Sequence, residues 1–249
     1  MRFAVITLVA TLALLSVVNS RKLPSYVKIC KRTDKNLNKC LMEAVAQIRP
    51  YLLKGIPEFK IPPYDPLEIP VVTLSQGSGA VSYNATFKNL KAYGAKDAVV
   101  KDVRLDLDNL KLEFDLLFPS MHLESEYDVD GKVLVVPVKG NGPSNSNFTN
   151  TETNIKLFGQ FEIKDGKKYI SLKEREVDLS IGDAKLYFGN LFNGNKELGD
   201  STNQFFNDNW RDIVKEIQPV VEETISTIIH EIVRKVFELY TYDELLPES

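Results

Sequence analysis

Residues 201–240 read STNQFFNDNWRDIVKEIQPVVEETISTIIHEIVRKVFELY. Within them Phe205, Phe206, Trp210, Ile213, Val214, Ile217, Val220, Val221, Ile225, Ile228, Ile229, Ile232, Val233, Val236, Phe237 and Tyr240 recur in steps of three and four. That spacing lays them along one broad face of a helix. At about 1.5 Å per residue the helix would run roughly 55–60 Å, longer than an ordinary small domain is wide. Pro219 interrupts the pattern and predicts a kink there.

The segments upstream alternate instead. Val81, Tyr83, Ala85 and Phe87 form one run, and Val103, Leu105 and Leu107 another among Asp102, Arg104, Asp106 and Asp108. The phase slips at Asn109, which predicts a bulge or short turn, and Leu110, Leu112, Phe114 and Leu116 resume it. Met121, Leu123, Tyr127 and Val129 continue it to Asp130-Gly131, a hairpin signal leading into Val133–Val138. Ile155, Leu157, Phe161 and Ile163 precede a second such signal, Asp165-Gly166, and Val177, Leu179 and Ile181 close the series. One face is apolar and the other charged, as in antiparallel strands wetted on one side. A one-sided sheet and a one-sided rod bury each other best when the sheet curls around the rod. The expected fold class is therefore α+β: a long C-terminal α-helix wrapped by a highly curved antiparallel β-sheet.

An N-terminal helix is predicted from Asp34 to about Leu53, capped by Asp34, with Leu37, Leu41, Val45, Ile48 and Leu52 as its buried stripe. Gly55 and Pro57 end it, and the proline-rich stretch to Leu67 should lie extended over the surface. The segments 139–150 and Gly189–Asp200 read as flexible connections.

Residues 3–18 are an apolar block after Arg2, with small residues at Val18 and Ser20. This is the pattern of a secretory signal over residues 1–20, leaving 21–249 as one domain. The C-terminus carries neither a lipid-anchor tail nor a retention signal. With 31 basic and 34 acidic residues and no basic tract, the chain is not expected to bind nucleic acid, nor to associate integrally with membranes. The only two cysteines, Cys30 and Cys40, are expected to form a disulfide in an oxidising compartment. Asn84-Ala-Thr86 and Asn147-Phe-Thr149 are N-glycosylation sequons, the second in a stretch read as a polar loop.

Catalytic chemistry finds little support. There is no nucleophile elbow, no zinc-protease motif and no phosphate-binding glycine loop. The two histidines limit acid–base and metal chemistry. His122, Glu124 and Glu126 alternate on one strand face and read as its solvated side; His230 reads as a boundary residue of the long helix. No catalytic residue, cofactor or metal is expected.

Several segments occur together in order: Cys30…Cys40, Leu53-Lys-Gly-Ile-Pro-Glu58, Ile61-Pro-Pro-Tyr-Asp-Pro-Leu67, Phe87-Lys-Asn-Leu-Lys-Ala-Tyr-Gly94, Tyr127-Asp-Val-Asp-Gly-Lys-Val-Leu134, Asn190-Leu-Phe-Asn-Gly-Asn-Lys-Glu-Leu-Gly-Asp200 and Phe206-Asn-Asp-Asn-Trp210. This ordered set resembles the insect takeout and haemolymph juvenile-hormone-binding protein family over the whole of the chain after residue 20. The resemblance implies a tubular lipid-binding-like fold with a hydrophobic tunnel for terpenoid hormones, fatty acids or similar ligands. It also implies secretion, often into haemolymph, and links to hormone transport, feeding or circadian output. Dedicated juvenile-hormone carriers in the family usually have a second disulfide, so the resemblance points to a takeout-like member. A monomeric carrier is the leading expectation, with action through a protein receptor as the alternative.

In that reading the tunnel lies between the inward strand faces and the long helix. Leu105, Leu107, Leu112, Phe114, Leu123, Tyr127, Phe161, Leu179, Trp210, Val214, Ile217 and Val221 are expected to line it, with the Tyr127 hydroxyl orienting the ligand.

Overall fold

The structure, a computed structural model, describes residues 23–76, 82–134 and 136–249. The signal expected over residues 1–20, Val81 at the start of its run and Val135 within the Val133–Val138 run lie outside the described residues.

Two long strands make the frame: β4 (Lys111–Val133) and β5 (Val136–Lys164) pair along their length as one hairpin. Each serves two neighbours in turn. The first part of β4 pairs with β3 (Val99–Asp106) and the second with β2 (Ser82–Tyr93), which pairs with β1 (Leu67–Gln76). On the other side, β5 pairs first with β7 (Asp183–Phe188) and then with β6 (Lys167–Ser180). The seven strands are antiparallel, with the path β1-β2-β4-β5-β6 and β3 and β7 branching from it. Register shifts between Lys88 and Lys91, Val100 and Asp102, and Phe158 and Gly159 bend the ladder.

Helix α1 (Leu37–Lys54) begins three residues after its predicted cap. The Asp34 side chain accepts the Asn36 amide at 2.8 Å and so shapes the turn before the helix. Leu37 and Leu41 pack near Cys30, while Ile48 and Leu52 pack near Ile56 and Phe59. The stretch after Gly55 does not lie over the surface. Ile56, Phe59 and Ile61 are buried against Tyr240 and form a plug at one end of the molecule.

The C-terminal helical stretch begins earlier than its apolar stripe and breaks where none of its prolines lies. Helix α2 (Lys196–Asp208) is capped by Asn195, whose side chain accepts the Leu198 amide, so 196–200 is helix rather than a flexible connection. Helix α3 (Trp210–Leu239) then runs on alone for 30 residues, about 45 Å at 1.5 Å per residue. The break is at Asn209 (φ −115°, ψ 20°), whose side-chain amide donates to the Phe205 carbonyl at 2.9 Å. Pro219, where a kink was predicted, is inside α3 on its exposed side. The carbonyl it leaves bare can be hydrated there, and the helix continues. A one-turn helix α4 (Tyr242–Leu245), closed by a Thr241–Glu244 capping box, follows.

Two turns fall differently from expectation. The first hairpin reverses at Leu134 rather than at Asp130-Gly131, because the inward row Val129, Val133, Val136 and Val138 carries the ladder further. Asp130 and Lys139 then pair across it at 2.8 Å. The Asp165-Gly166 turn lies where predicted, and the slip at Asn109 is a turn over 107–110. The segment 139–150 is not a loop but the middle of β5, held between β4 and β7. Its glycines are there for space. A Cβ on Gly140 would lie 2.9 Å from the Tyr127 hydroxyl, and one on Gly142 would lie 2.7 Å from the Gly189 carbonyl oxygen.

Candidate functional site

Successive turns of α3 meet successive clusters of the sheet. Ile213 packs with Tyr127, Val138, Leu191 and Phe206. Ile217 and Val220 follow beside Leu74, Tyr83 and Ala85. Ile225, Ile229 and Val233 face Ile155, Leu157 and Val177. Ile232 and Val236 end in the plug of Ile56, Phe59 and Ile61. The apolar interior therefore runs the length of α3.

Its wall is tight on one side only. The close backbone neighbour of α3 is β6, and the central strands β4 and β5 stand farther off. Side chains fasten this seam. Glu222 accepts the Leu179 amide at 2.8 Å and Gln218 donates to the Leu179 carbonyl at 2.9 Å. Arg175 reaches Glu223 at 3.1 Å and Thr227 at 3.3 Å. Leu112, Phe114 and Leu116 on β4, and Leu172 and Leu179 on β6 itself, pack with the Ile225–Val233 stripe yet are only half-buried. A cleft of about 470 Å³ opens where β7 meets α2 and α3, between Leu186, Asn207 and Trp210. A smaller one, about 110 Å³, opens between β6 and the far half of α3 beside Leu172, His230 and Phe237.

The expected lining residues fall into groups. Leu112, Phe114 and Leu179 come together on the wall facing α3, and Ile217 joins the neighbouring cluster. Val214 and Val221 are half-buried on α3, as is Leu123 on β4. Trp210 is buried at the mouth of the larger cleft. Leu105 and Leu107 pack instead against the Cys30, Leu37, Tyr242 and Leu246 cluster, outside the helix–sheet interior. Phe161 is not on the wall either. It is 43% exposed and meets Tyr242 edge to face at 4.9 Å, because the register of the hairpin carries it past the end of the interior. Tyr127 is buried as expected, but its hydroxyl is already engaged, donating to the Gly189 carbonyl at 2.7 Å. Burial pushes that phenol up to about 12.

Alternation read back from Ile155 reaches two side chains that lie between that run and the segment read as a loop. Thr153 and Thr151 occupy the same inward row, and both are buried. Ser226 is buried on α3, and Tyr83 on β2. None of these four hydroxyls has a hydrogen-bond partner among the described residues. Burial alone pushes the Tyr83 phenol upward.

The outer face is charged and self-compensated. Arg104 pairs with Asp102, Glu113 and Asp115. His122 is bonded to Asn147 at 2.9 Å and Glu124 at 3.0 Å on the solvated face. Asn84 and Asn147 are exposed. Among the described residues no group of three or more His, Cys, Asp or Glu is placed to hold a metal, and no helix is long and apolar enough to cross a membrane. Cys30 and Cys40 are joined, their Cα atoms 5.8 Å apart.

The family described as haemolymph juvenile hormone binding protein (JHBP) matches residues 5–247. This chain belongs to that family. The family is one of binding proteins, and its description places it in haemolymph. The fold is that of the takeout branch: the crystal structure of Epiphyas postvittana Takeout 1 superposes with a TM-score of 0.76 at 25% identity, over 88% of this chain and 99% of that one. Among curated relatives, the circadian clock-controlled protein daywake of Drosophila melanogaster is 28% identical over 92% of this chain and 90% of its own length. A Schistocerca gregaria protein, proposed by its name to bind beta-carotene, is 21% identical over 82% of this chain and 81% of its own.

Proposed function

We propose that this chain is a secreted, non-enzymatic carrier that holds an elongated apolar small molecule, a terpenoid, fatty acid or similar, between α3 and the inner face of the sheet. One observation carries the reading. Leu112, Phe114, Leu116, Leu172 and Leu179 face the helix stripe and stay half-buried. In a filled core such side chains would be closed over. Leu112, Phe114, Leu179, Val214, Ile217 and Val221 form the wall in this reading, with Leu123, Tyr127 and Trp210 toward the α2 end.

Family membership supports it, because the family takes its description from binding a hormone in haemolymph. The family description supports a role in hormone transport, and the name of the clock-controlled daywake relative one in circadian output. The signal over residues 1–20 and glycans at Asn84 and Asn147 belong to the same reading, as does a monomeric state.

The test is native mass spectrometry of the chain secreted from insect cells, followed by organic extraction. A mass excess that disappears on extraction and resolves as one class of apolar molecule is the expected result. A chain of bare mass that binds no long-chain probe afterwards would overturn the carrier reading.

A further inference from the structure

The interior wall is apolar except for a few hydroxyls, and three of these share one stretch. Thr151 and Thr153 stand in the inward row of β5 with Ile155 and Leu157, at 4% and 6% exposure. Ser226 stands on α3 beside Ile225, at 3%. All three lack a hydrogen-bond partner among the described residues. A helical serine or threonine ordinarily returns its hydroxyl to the preceding turn. Thr224 does so, to the Val220 carbonyl at 2.8 Å, but Ser226 does not.

The ladder and the seam place the three along one stretch of neighbouring elements. Thr153 lies directly across from Leu179 of β6, and Thr151 is the next inward residue of the same row. Leu179 is the residue whose amide and carbonyl are held by Glu222 and Gln218 of α3. Ser226 is one helical turn beyond Glu222 and next to Thr227, which Arg175 of β6 reaches, so it lies along the stretch of β6 between Leu179 and Arg175. A bare buried hydroxyl is penalised by lost hydration, and such groups are few in folded proteins. Three in one stretch of apolar lining mark a place that is complete only when an oxygen occupies it.

We propose that Thr151, Thr153 and Ser226 form a polar station within the apolar wall, which takes a neutral oxygen function of the ligand: an ester, ketone or alcohol. This rests on the carrier reading above and narrows its ligand. Hydroxyls can donate to such an oxygen, and each can also accept. A carboxylate would need a counter-charge. The cation in the inward row of β6, Arg175, has its charge balanced by Glu223 and reaches Thr227 as well, although its Nε is a further buried donor without a partner among the described residues. An ion there would give up its hydration for neutral donors alone. A plain hydrocarbon would leave all three hydroxyls bare.

The experiment uses the full secreted chain, stripped of lipid, and three probes of matched length: methyl palmitate, the corresponding straight-chain hydrocarbon and ionised palmitate. Dissociation constants are measured for the wild type and for Thr153→Val, Ser226→Ala and Thr151→Val, with the melting temperature of each empty protein. We expect the wild type to bind the ester at least about tenfold tighter than the hydrocarbon, and tighter than palmitate. Thr153→Val and Ser226→Ala should each lose about five- to tenfold for the ester and leave the hydrocarbon unchanged. Their empty melting temperatures should hold or rise, since an unpaired buried hydroxyl is removed. Equal affinity for ester and hydrocarbon, or variants that weaken both alike, would overturn the station and leave the carrier reading standing. So would a clear drop in melting temperature, which would make the hydroxyls structural. Preference for ionised palmitate would overturn the neutral assignment. A wild type that binds none of the three would remove both readings.

Discussion

Glu222 on α3 accepts the backbone amide of Leu179 on β6 at 2.8 Å. With Gln218, which donates to the carbonyl of the same residue and to Glu222 itself, it does for β6 what another strand would do. On that side β6 has no strand neighbour among the described residues, and its free edge is covered by helix side chains.

Glu222→Ala should therefore leave a half-buried amide without its acceptor and cost about 1–3 kcal/mol of stability. Glu222→Gln keeps an acceptor oxygen and should retain most of it. Denaturant unfolding of both variants checks this; an alanine variant as stable as the wild type would show that the seam is held by apolar contact alone.

Two neighbouring side chains should respond differently to truncation. Leu157 is 2% exposed in the closed part of its cluster, and Leu157→Ala should cost about 2–5 kcal/mol. Phe114 faces the same helix stripe but is half-buried, so Phe114→Ala should cost less than the roughly 3–5 kcal/mol expected in a solid core and weaken ligand binding instead. Unfolding and binding measured on each variant separate a filled interior from an open one.

Loss of the Cys30–Cys40 bond should cost about 2–3 kcal/mol in the chain-entropy picture. The bond lies beside Leu37, Tyr242 and Leu246, away from the wall facing the middle of α3, so ligand affinity should be little changed. Comparing Cys30→Ser/Cys40→Ser with the wild type in melting and binding decides this. A melting point within error of the wild type would make the bond superfluous, and lost affinity would mean that this end shapes the site.

Acid should loosen the outer face. Lys111 at 2.9 Å, then Asn154 and Arg104, hold Glu113 down at about 2. Arg104, then Asn154, lowers Asp115 as well. A carboxyl depressed in the folded state contributes stability above its unfolded value, about 4.3 for Glu, and loses it as pH falls toward its folded value. The melting temperature should therefore fall between about pH 5 and pH 2. In Glu113→Gln that slope should be shallower. An unchanged slope would move the acid sensitivity to other carboxylates.

The elements set by a strong period were readable from residues alone. The stripe from Phe205 to Tyr240 and the alternations around Leu112 and Val177 gave a helix against a one-sided sheet. Interruptions of a single residue were not. Phe206, Trp210 and Ile213 keep helical steps across Asn209, so the stripe passes over a break that Asn209 makes through the Phe205 carbonyl. Composition misled at 139–150, where glycines and asparagines belong to a strand pressed against the Gly189–Leu191 backbone. β1 was not among the alternating runs; its Pro70 lies on an edge strand, where a missing N–H is tolerated. Alternation told inside from outside well enough to find Phe114 and Leu179. It could not tell how far a row runs, which is why Phe161 falls beyond the wall and Thr151 and Thr153 were overlooked.

The order of the chain gives α3 a particular moment of arrival. Every strand from Leu67 to Phe188 is made before Trp210 emerges from the ribosome. At about 5–20 residues per second, the stretch from Phe188 to Leu239 takes on the order of seconds to appear. For that interval every strand has been made but their apolar side has no helix to meet. A nascent chain stopped before Trp210 would display Leu112, Phe114, Ile155 and Val177 to whatever is nearby, so the newborn protein depends on its final sixth, about 40 residues, to become self-contained.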